Sequence, residues 1–428
     1  MQKEYFHSVI LKEDRCIGCT SCLKVCPTEA IRIIDGKARI IDERCIDCGE
    51  CIRICPNHAK SAVTDNLNVL DKFKYNIAIP TMSLYGQFQP NISINQILNS
   101  IKAMGFDEVY DTTIGAKIIS GLISGYLLHK KTIERPLINS SCPAILRLIQ
   151  IRFPDLLPNI VDIETPMEIA ARIVKTEAAK KTGLDLKEIG VIFFTPCTAR
   201  ATSIKNPLGI KNSYIDAAIS IKDIYGEILK NLSVNPSYTV NVESTKETLE
   251  WISAGGQAKS LKIEKYLAVD GIHEAIKVLE DLELGKLEDV DFLELMACRG
   301  SCVGGPLVIE NSFIARAKIG NHAKLLDHLV YTNEDIDQYI KMYEDGFVRL
   351  TETIEPRLVM SLDKDITKSL KKMEVIREIL KNLPGIDCGV CGAPTCRAFA
   401  EDIVKGENNH SLCIVKTLES FKNKSLKK

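Results

Sequence analysis

The cysteines constrain the fold of this chain more than any other feature. There are 16 of them, and all can be grouped in fours at spacings typical of metal ligands. Two groups lie near the start of the chain: Cys16, Cys19, Cys22 and Cys26, then Cys45, Cys48, Cys51 and Cys55. A third group lies near the end: Cys388, Cys391, Cys396 and Cys413. The remaining cysteines are far apart in sequence: Cys142, Cys197, Cys298 and Cys302. A fold that uses all of these groups must bring each set of thiols to one point.

The N-terminal cysteines form an internal repeat. Both copies read C-x2-C-x2-C-x3-C-P, the spacing that binds [4Fe–4S] clusters in bacterial ferredoxins. In ferredoxins with two clusters, the fourth cysteine of each run ligates the other cluster. We therefore expect one cluster on Cys16, Cys19, Cys22 and Cys55, and the other on Cys45, Cys48, Cys51 and Cys26. Residues 1–70 are predicted to be a 2[4Fe–4S] ferredoxin-like domain, whose small core would depend on cluster binding for its stability.

Composition and charge exclude several other classes of protein. Hydrophobic residues make up 45% of the chain and charged residues 26%, as in ordinary globular proteins, and no apolar run is long enough to cross a membrane. The formal net charge is −1 and basic residues are not clustered, so we expect neither a nucleic-acid partner nor a membrane. The sequence begins without a signal segment, which predicts a cytoplasmic protein whose thiols bind metal instead of forming disulfides.

Between residues 71 and 355, apolar strands alternate with amphipathic helices, a pattern that predicts parallel sheets flanked by helices. Three of the scattered cysteines follow predicted strands: Cys142 after Leu137–Ile138, Cys197 after Val191–Phe194, and Cys298 after Phe292–Leu295. Ligands in such folds bind outside the carboxyl ends of the strands. We therefore predict an α/β domain over residues 71–355 in which the scattered thiols converge.

Three loops carry these cysteines: SSCPAI at 140–145, TPCTAR at 195–200 and MACRGSCVGG at 296–305. Together they resemble the signature loops of the [FeFe]-hydrogenase large subunit, which usually read TSCCP, MPCxxK and MACxGGCxxGG. The order of the loops and the preceding ferredoxin-like repeat also match, so the resemblance covers roughly the first 350 residues. It implies a two-lobed, hydrogenase-type parallel α/β domain.

Position by position, the resemblance implies a role for each matching residue. The scattered cysteines would ligate the [4Fe–4S] half of the hydrogen-activating cluster, and Cys302 would also bridge to a two-iron subcluster. The residues that match the pocket around this subcluster are Pro80, Thr81, Arg200 and Met296. Gly304 and Gly305 would let the backbone pass close to the inorganic core, which a side chain would prevent.

Several positions depart from the family pattern. Ser141 stands where the family has the cysteine that carries protons to the distal iron, and a hydroxyl is too weak an acid for that task at neutral pH. The helix after VYDTTIGA (109–116) has no carboxylate to continue a proton route. Arg200 replaces a lysine, and Met167 replaces a glutamine. Ser141 and Arg200 are therefore the candidate catalytic residues, and the sequence leaves open whether the two-iron unit is retained.

The C-terminal cysteines follow a predicted helix at about residues 364–383 and the helix breaker Pro384-Gly385, which together predict a third, small helical domain at 356–428. Their motif, DCGVCGAPTC with Cys413, resembles the [4Fe–4S] module of corrinoid iron–sulfur proteins and of a subunit of Rnf electron-transport complexes. Zinc is the alternative metal, because sites of four thiolates also bind zinc. The resemblance favours iron, which predicts four [4Fe–4S] clusters in the whole chain.

The departures resemble the poorly active, sensory branches of the hydrogenase family. We therefore expect an iron–sulfur redox protein in which electrons pass through several clusters to a central hydrogenase-type cluster, with slow or sensory oxidation of dihydrogen or reduction of protons. The expected partners are a ferredoxin or another oxidoreductase subunit, and a signalling protein in the sensory case. Two alternatives stay open: a non-catalytic electron-transfer subunit without the two-iron site, and an iron–sulfur assembly adaptor of the Nar type. The sequence does not decide whether the protein is an enzyme.

Overall fold

The computed structural model describes residues 6–130, 134–233, 244–363 and 365–425. The chain forms two compact units: the first combines Met1–Ala62 with Arg357–Lys428, and the second is Val63–Pro356. Both ends of the chain, with their closely spaced cysteines, thus belong to one unit, and the scattered cysteines belong to the other. Within the described ranges, no helix is long and apolar enough to cross a membrane.

The N-terminal part of the first unit is small and built around its cysteines. Its elements are β1 (Val9–Leu11), α1 (Ser21–Lys24), β2 (Ile31–Ile34), β3 (Lys37–Ile40), α2 (Glu50–Ile54) and β4 (Lys60–Ala62). Strand β1 pairs with β4 and β2 pairs with β3, in both cases antiparallel. Besides thiols, the main apolar cluster of this part is formed by the buried side chains of Val9, Leu23, Ile31, Ala38 and Ala59. So little apolar burial leaves much of the stability to bound metal.

The second unit alternates strands and helices. Its first elements are β5 (Tyr75–Pro80), α3 (Ile94–Lys102), β6 (Glu108–Val109), α4 (Thr113–Gly125), β7 (Leu137–Ile138), α5 (Pro143–Arg152), α6 (Pro166–Thr182), β8 (Ile189–Thr195) and α7 (Thr198–Lys205). The others are β9 (Ala217–Ser220), α8 (Ile221–Asn231), α9 (Lys246–Glu250), α10 (Gly256–Ser260), β10 (Tyr266–Asp270), α11 (Ile272–Glu283), β11 (Phe292–Met296), α12 (Ser312–Ala323) and α13 (Asn333–Glu344).

These strands form two sheets, with orders β6-β5-β8-β9 and β10-β11-β7, and all neighbouring strands are parallel. The register of β5 and β8 runs from Tyr75↔Ile189 to Pro80↔Phe194, so the two strands end at the same edge. Every residue of β8 is buried, as expected for a central parallel strand covered on both faces. The predicted parallel α/β architecture is confirmed.

The helix without carboxylates, α4, is a core helix. Its side chains at Ile119, Leu122 and Ile123 are almost fully buried. It ends at Gly125, and a 3-10 turn at Leu127–His129 follows. Burial on this scale requires apolar residues, so the absence of carboxylates from this helix is consistent with its position.

The C-terminal part of the first unit consists of α14 (Ile366–Lys381), α15 (Cys396–Val404) and α16 (Ile414–Ser425). Helix α14 lies within the predicted helix, whose first position, 364, is outside the described residues. This part packs on the N-terminal part of its unit through a buried ion pair, in which Nε and Nη2 of Arg32 donate to the carboxylate of Asp402 at 2.6 and 3.0 Å. The N–H of Ile33 also donates to the carbonyl of Gly392 at 2.9 Å. No sequence pattern predicted this contact.

Candidate metal centres

The N-terminal cysteines line two cavities. One is lined by Ile33, Lys60 and the thiols of Cys16, Cys19, Cys22 and Cys55, and we call it the first ferredoxin-type site. The other, the second ferredoxin-type site, is lined by Ile31, Ile46 and the thiols of Cys26, Cys45, Cys48 and Cys51. Each site takes three thiols from one run and the fourth from the other. The structure therefore brings the cysteines together in the crosswise groups that the spacing predicts.

The last cysteine of each run accepts an equivalent backbone hydrogen bond. The N–H of Ala30 donates to Sγ of Cys26, and the N–H of Ala59 donates to Sγ of Cys55, both at 3.2 Å. Such bonds stabilise negative charge on sulfur, and hydrogen bonds to sulfur are one factor that sets the reduction potential of an iron–sulfur cluster. Burial raises the pKa of the Cys51 thiol to about 12, so a metal must displace the proton to bind there.

The C-terminal cysteines form the terminal site of the first unit. Cys391 and Cys413 pack with the buried Phe399. Burial raises the pKa of Cys391, and the neighbouring Cys388 and Cys413 raise it further. Cys396 begins α15, and its N–H donates to Oδ1 of Asp387 in the loop before Cys388, at 2.6 Å. Neighbouring thiols whose charges repel one another fit a metal centre better than four separate buried cysteines.

The scattered cysteines all lie near the carboxyl ends of strands in the second unit. Cys142 directly precedes α5 and Cys197 directly precedes α7, after β7 and β8 respectively. Cys298 follows β11, and Cys302 lies in a 3-10 turn at Ser301–Gly304. Because β7 and β11 belong to one sheet and β8 to the other, both sheets contribute thiols. This placement agrees with the rule that parallel sheets bind ligands at the carboxyl ends of their strands.

These cysteines lie close enough to influence one another's ionisation, and we call the group the central site. Burial raises the pKa of the Cys302 thiol to about 11, and the nearby Cys142 and Cys298 raise it further. Burial likewise raises the pKa of Cys142, with a further contribution from Cys298, and that of Cys197, with contributions from Cys298 and Cys302. Buried thiolates that repel one another need a cation among them. The donor set fits a [4Fe–4S] cluster.

A buried cation faces the central site. Arg200 on α7 is 6% exposed, and its Nη2 donates to Sγ of Cys302 at 3.4 Å. Burial raises the pKa values of Cys197 and Cys302, and the charge of Arg200 opposes this by lowering both. A guanidinium here stabilises thiolate ligands and has further N–H groups for an anionic ligand. The structure thus places this predicted residue directly beside the predicted bridging cysteine.

Ser141, the other candidate catalytic residue, is fully buried next to Cys142. Its Oγ donates to Oε1 of Gln257 at 3.5 Å. Gln257 lies on α10, and the backbone carbonyl of Gln257 accepts from the hydroxyl of Ser260 at 2.6 Å, which in turn lies 2.7 Å from Oγ of Ser120. These amide and hydroxyl groups do not ionise near neutral pH. No sequence motif pointed to Gln257.

Glu294 is a second residue that sequence reasoning missed. It lies on β11 and is 1% exposed, and its carboxylate accepts from the N–H groups of Gly255 and Ala258 at 3.0 and 2.8 Å. Burial raises its pKa to about 7. The carboxylate ties the strand that leads to Cys298 to α10, the helix that carries Gln257. A single acidic residue inside the apolar strand FLELM was the available signal.

The remaining pocket residues lie at the strand ends. Pro80 ends β5, and the fully buried Thr81 follows it with Oγ1 3.4 Å from Oγ of Ser83. Met296 ends β11, and its Sδ accepts from Nδ2 of Asn139 at 3.6 Å. A role toward a two-iron unit stays a prediction.

Gly304 and Gly305 both lie tightly against backbone carbonyl groups, and their approach to an inorganic core stays a prediction. A Cβ on Gly304 would lie 2.0 Å from the carbonyl oxygen of Arg299, and one on Gly305 would lie 2.1 Å from that of Pro196. The N–H of Leu307 also donates to the Pro196 carbonyl, at 2.9 Å. Gly305 therefore lets the loop of Cys302 dock on the loop of Cys197.

The fold and these thiol sites define an iron–sulfur protein with a hydrogenase-type domain. The family model described as iron only hydrogenase large subunit, C-terminal domain, matches residues 76–256 and 229–306, more than half of the chain, and the chain belongs to this family. A model for a 4Fe-4S dicluster domain matches residues 8–56, and one for a putative Fe-S cluster matches residues 383–415.

Curated relatives include hydrogenase subunits and iron–sulfur assembly factors. The NADP-reducing hydrogenase subunit HndD of Solidesulfovibrio fructosivorans is 22% identical over 346 residues, which are 69% of this chain and 56% of that protein. The periplasmic [Fe] hydrogenase large subunit of Nitratidesulfovibrio vulgaris is 26% identical over 362 residues, 70% of this chain and 86% of that one. The probable cytosolic Fe-S cluster assembly factor oxy-4 of Caenorhabditis elegans is 23% identical over 261 residues, 49% of this chain and 56% of that protein.

Among solved structures, a variant of the [FeFe]-hydrogenase HydA1 from Chlamydomonas reinhardtii superposes with a TM-score of 0.51 at 16% identity, covering 67% of this chain and 95% of that one. At this level of identity the similarity concerns the fold alone. The chain spans little more than half the length of HndD and of oxy-4. It is an iron–sulfur protein related to [FeFe]-hydrogenases.

Proposed function

We propose that the protein passes electrons through [4Fe–4S] clusters at its ferredoxin-type and terminal sites to a hydrogenase-type cluster at the central site, where dihydrogen is oxidised or protons are reduced slowly or as a sensory event. The observation that carries this proposal is the convergence of the four central thiols beside the buried Arg200. Bound iron would supply the electron and hydrogen chemistry, as in the family.

The residues of the central site have distinct tasks in this proposal. Cys142, Cys197, Cys298 and Cys302 would hold the [4Fe–4S] part, and Cys302 would also be a ligand of a two-iron unit. Arg200 donates a hydrogen bond to Sγ of Cys302, which favours the thiolate form of that ligand. Ser141 retains its proton at neutral pH and is bonded to an amide, so it cannot deliver protons as a thiol does. Slow turnover follows from this substitution.

Two sites have an exposed cysteine, near which electrons would pass to or from a redox partner. Cys19 of the first ferredoxin-type site and Cys388 of the terminal site are the exposed thiols of their groups. A ferredoxin or another oxidoreductase subunit in the cytoplasm would dock near one of them, and a signalling protein would read the redox state in the sensory case. Exposure of a ligand brings the cluster edge near the surface, which electron transfer between proteins requires.

A second candidate function is that of an iron–sulfur assembly factor. It is supported by the similarity to oxy-4, whose name describes such a factor, and by the absence of a thiol at Ser141. In this function the central site would hold only a [4Fe–4S] cluster. A non-catalytic electron-transfer subunit would also hold only a [4Fe–4S] cluster at the central site. Both alternatives therefore differ from the main proposal in lacking the two-iron unit.

Infrared spectroscopy tests the main proposal. The protein is co-expressed with hydrogenase maturation factors, and we expect metal-bound carbonyl and cyanide bands together with about eighteen irons per chain. Cys302→Ala is the matched control, because it should lose these bands while the sites of the first unit keep their iron. A matured wild-type protein without the bands and with about sixteen irons would leave an electron-transfer or assembly role.

A further inference from the structure

The two halves of the internal repeat differ at one buried position. After its last cysteine, each run continues to the alanine that bonds back to that cysteine, and the next residue begins a strand: Ile31 begins β2 and Lys60 begins β4. Ile31 lines the second ferredoxin-type site, and Lys60 lines the first. The repeat thus places an apolar side chain at one site and an ammonium group at the equivalent point of the other.

The burial of Lys60 calls for a negative charge beside it. The residue is 3% exposed, and among the described residues its Nζ has no hydrogen-bond partner. An unpaired ammonium group in an apolar interior is strongly unfavourable, and buried lysines normally find a compensating anion. Here the surrounding groups are cluster ligands. Burial raises the pKa values of Cys22 and Cys51, and the charge of Lys60 lowers both, so the ammonium lies near thiols of both sites.

A [4Fe–4S] cluster held by four thiolates carries about two negative charges when oxidised, and one more after it takes up an electron. Charges in a water-poor interior interact far more strongly than in water. A fixed ammonium group beside the ligands therefore stabilises the reduced state more than the oxidised state. This explains why the position tolerates a lysine without a protein partner.

We propose that Lys60 tunes the reduction potentials of the N-terminal clusters, favouring the reduced form, most strongly at the first ferredoxin-type site whose cavity it lines. Ile31, at the equivalent point of the second site, adds no charge of its own. An electron from an external one-electron donor would therefore settle preferentially at the first site, without any bond or proton changing hands. The proposal rests on the clusters assigned to the first unit in the proposed function, and it does not depend on dihydrogen chemistry.

The test is an anaerobic redox titration of the holoprotein with dithionite, followed by electron paramagnetic resonance. In Lys60→Met, we expect the higher of the two N-terminal midpoint potentials to fall, with at least about a tenfold shift in the reduction equilibrium, or about 59 mV for a one-electron couple. Lys60→Arg keeps the charge and should keep the midpoint close to the wild-type value. Lys12→Met is the matched control, since Lys12 is exposed and solvent and salt screen its charge.

Iron content and visible absorption are measured on the same samples. Because an apolar residue occupies the equivalent position in β2, Lys60→Met is expected to retain both clusters. Unchanged midpoints in Lys60→Met, or an equal shift in Lys12→Met, would overturn the proposal. Loss of N-terminal iron from Lys60→Met would also overturn it, because Lys60 would then serve assembly. None of these outcomes involves the central site, whose carbonyl bands test the proposed function separately.

Discussion

The first ferredoxin-type site and the central site both collect four cysteines, but in opposite ways. At the first site, Cys16, Cys19 and Cys22 lie on one short stretch of chain, and the surrounding core is small. At the central site, loops far apart in sequence are brought together by two parallel sheets with extensively buried strands. The local site has little structure to hold it before metal binds. The fold around the central site is stabilised by its own buried sheets, and it brings the thiols together before metal binds.

Removal of iron should separate the two kinds of site most clearly. After anaerobic chelation, we expect strands β1 to β4 to lose their protection from hydrogen exchange, while β5 and β8 stay protected. Binding of a structural metal can supply about 10–16 kcal/mol of folding free energy to a small domain, more than the core of β1 to β4 can replace. Mass spectrometry of exchanged peptides measures both regions in one sample. Equal loss of protection in both would refute the comparison.

The terminal module could blur this contrast, because it ties itself to the ferredoxin-like part without metal. Asp402→Ala leaves the buried Arg32 unpaired, and we expect a loss of about 3–5 kcal/mol in the stability of the first unit. Replacing both partners, with Arg32→Met and Asp402→Leu, should restore most of it, since apolar residues of similar size can replace a buried pair. Protection of α15 against hydrogen exchange is the measurement.

The exposed pair of Arg39 and Glu13 in the same unit is the control. Its side chains are 53% and 59% exposed, so Glu13→Ala should cost less than about 1 kcal/mol. If Asp402→Ala costs no more than this control, the buried pair does not hold the module, and metal alone accounts for the stability of the first unit.

The grouping of the cysteines was predicted from the sequence in a different way at each kind of site. The ligand grouping of the repeat at Cys16 to Cys55 followed from its likeness to two-cluster ferredoxins, in which the fourth cysteine of each run ligates the other cluster. For the central site, the residues after predicted strands were sufficient to predict that Cys142, Cys197 and Cys298 meet, since parallel strands end at common edges. The architecture of both regions followed from local patterns.

Contacts between distant segments could not be predicted where no motif or strand end marks the residues. Arg32 and Asp402 are ordinary surface residue types in sequence, and only packing of α15 on β2 makes them a buried pair. The packing of Gly305 against the Pro196 carbonyl was also missed, because that carbonyl comes from another loop. Gln257 and Glu294 were missed for the same reason: a polar residue becomes informative only when its buried neighbours are known.

The acid–base behaviour of the second unit sharpens the comparison, because a fold that exists without metal can tolerate a buried carboxyl group. Burial raises the pKa of Glu294 to about 7, above its ordinary value of 4.5. The folded state therefore holds the proton more tightly, and stability falls as pH rises from about 4.5 to 7 and then levels off. In Glu294→Gln, we expect the decrease in the free energy of unfolding over this pH range to be smaller by roughly 3 kcal/mol.

Urea unfolding between pH 4.5 and 8 measures this effect, with the fluorescence of Trp251 as the probe. Trp251 is the single tryptophan of the chain, is buried, and belongs to the second unit. Glu164, whose pKa burial also raises to about 7, remains in the variant and should leave a residual slope. An unchanged pH dependence in Glu294→Gln would show that the carboxyl group does not titrate in this window.

The smallest expected effect tests whether the central site depends on the fit of its loops. In Gly305→Ala, the new Cβ would lie 2.1 Å from the Pro196 carbonyl oxygen, so the loop of Cys302 must move away from that of Cys197. We expect a loss of only about 1–3 kcal/mol in the stability of the second unit. Iron at the central site should nevertheless fall, because a cluster requires its ligands at fixed distances. Gly320→Ala in α12 is the matched control, since nothing lies within 4 Å of its added Cβ. If Gly305→Ala keeps its central iron, the site adapts its loops to the metal, as the ferredoxin-type sites do, and the contrast between the two regions is one of sequence distance alone.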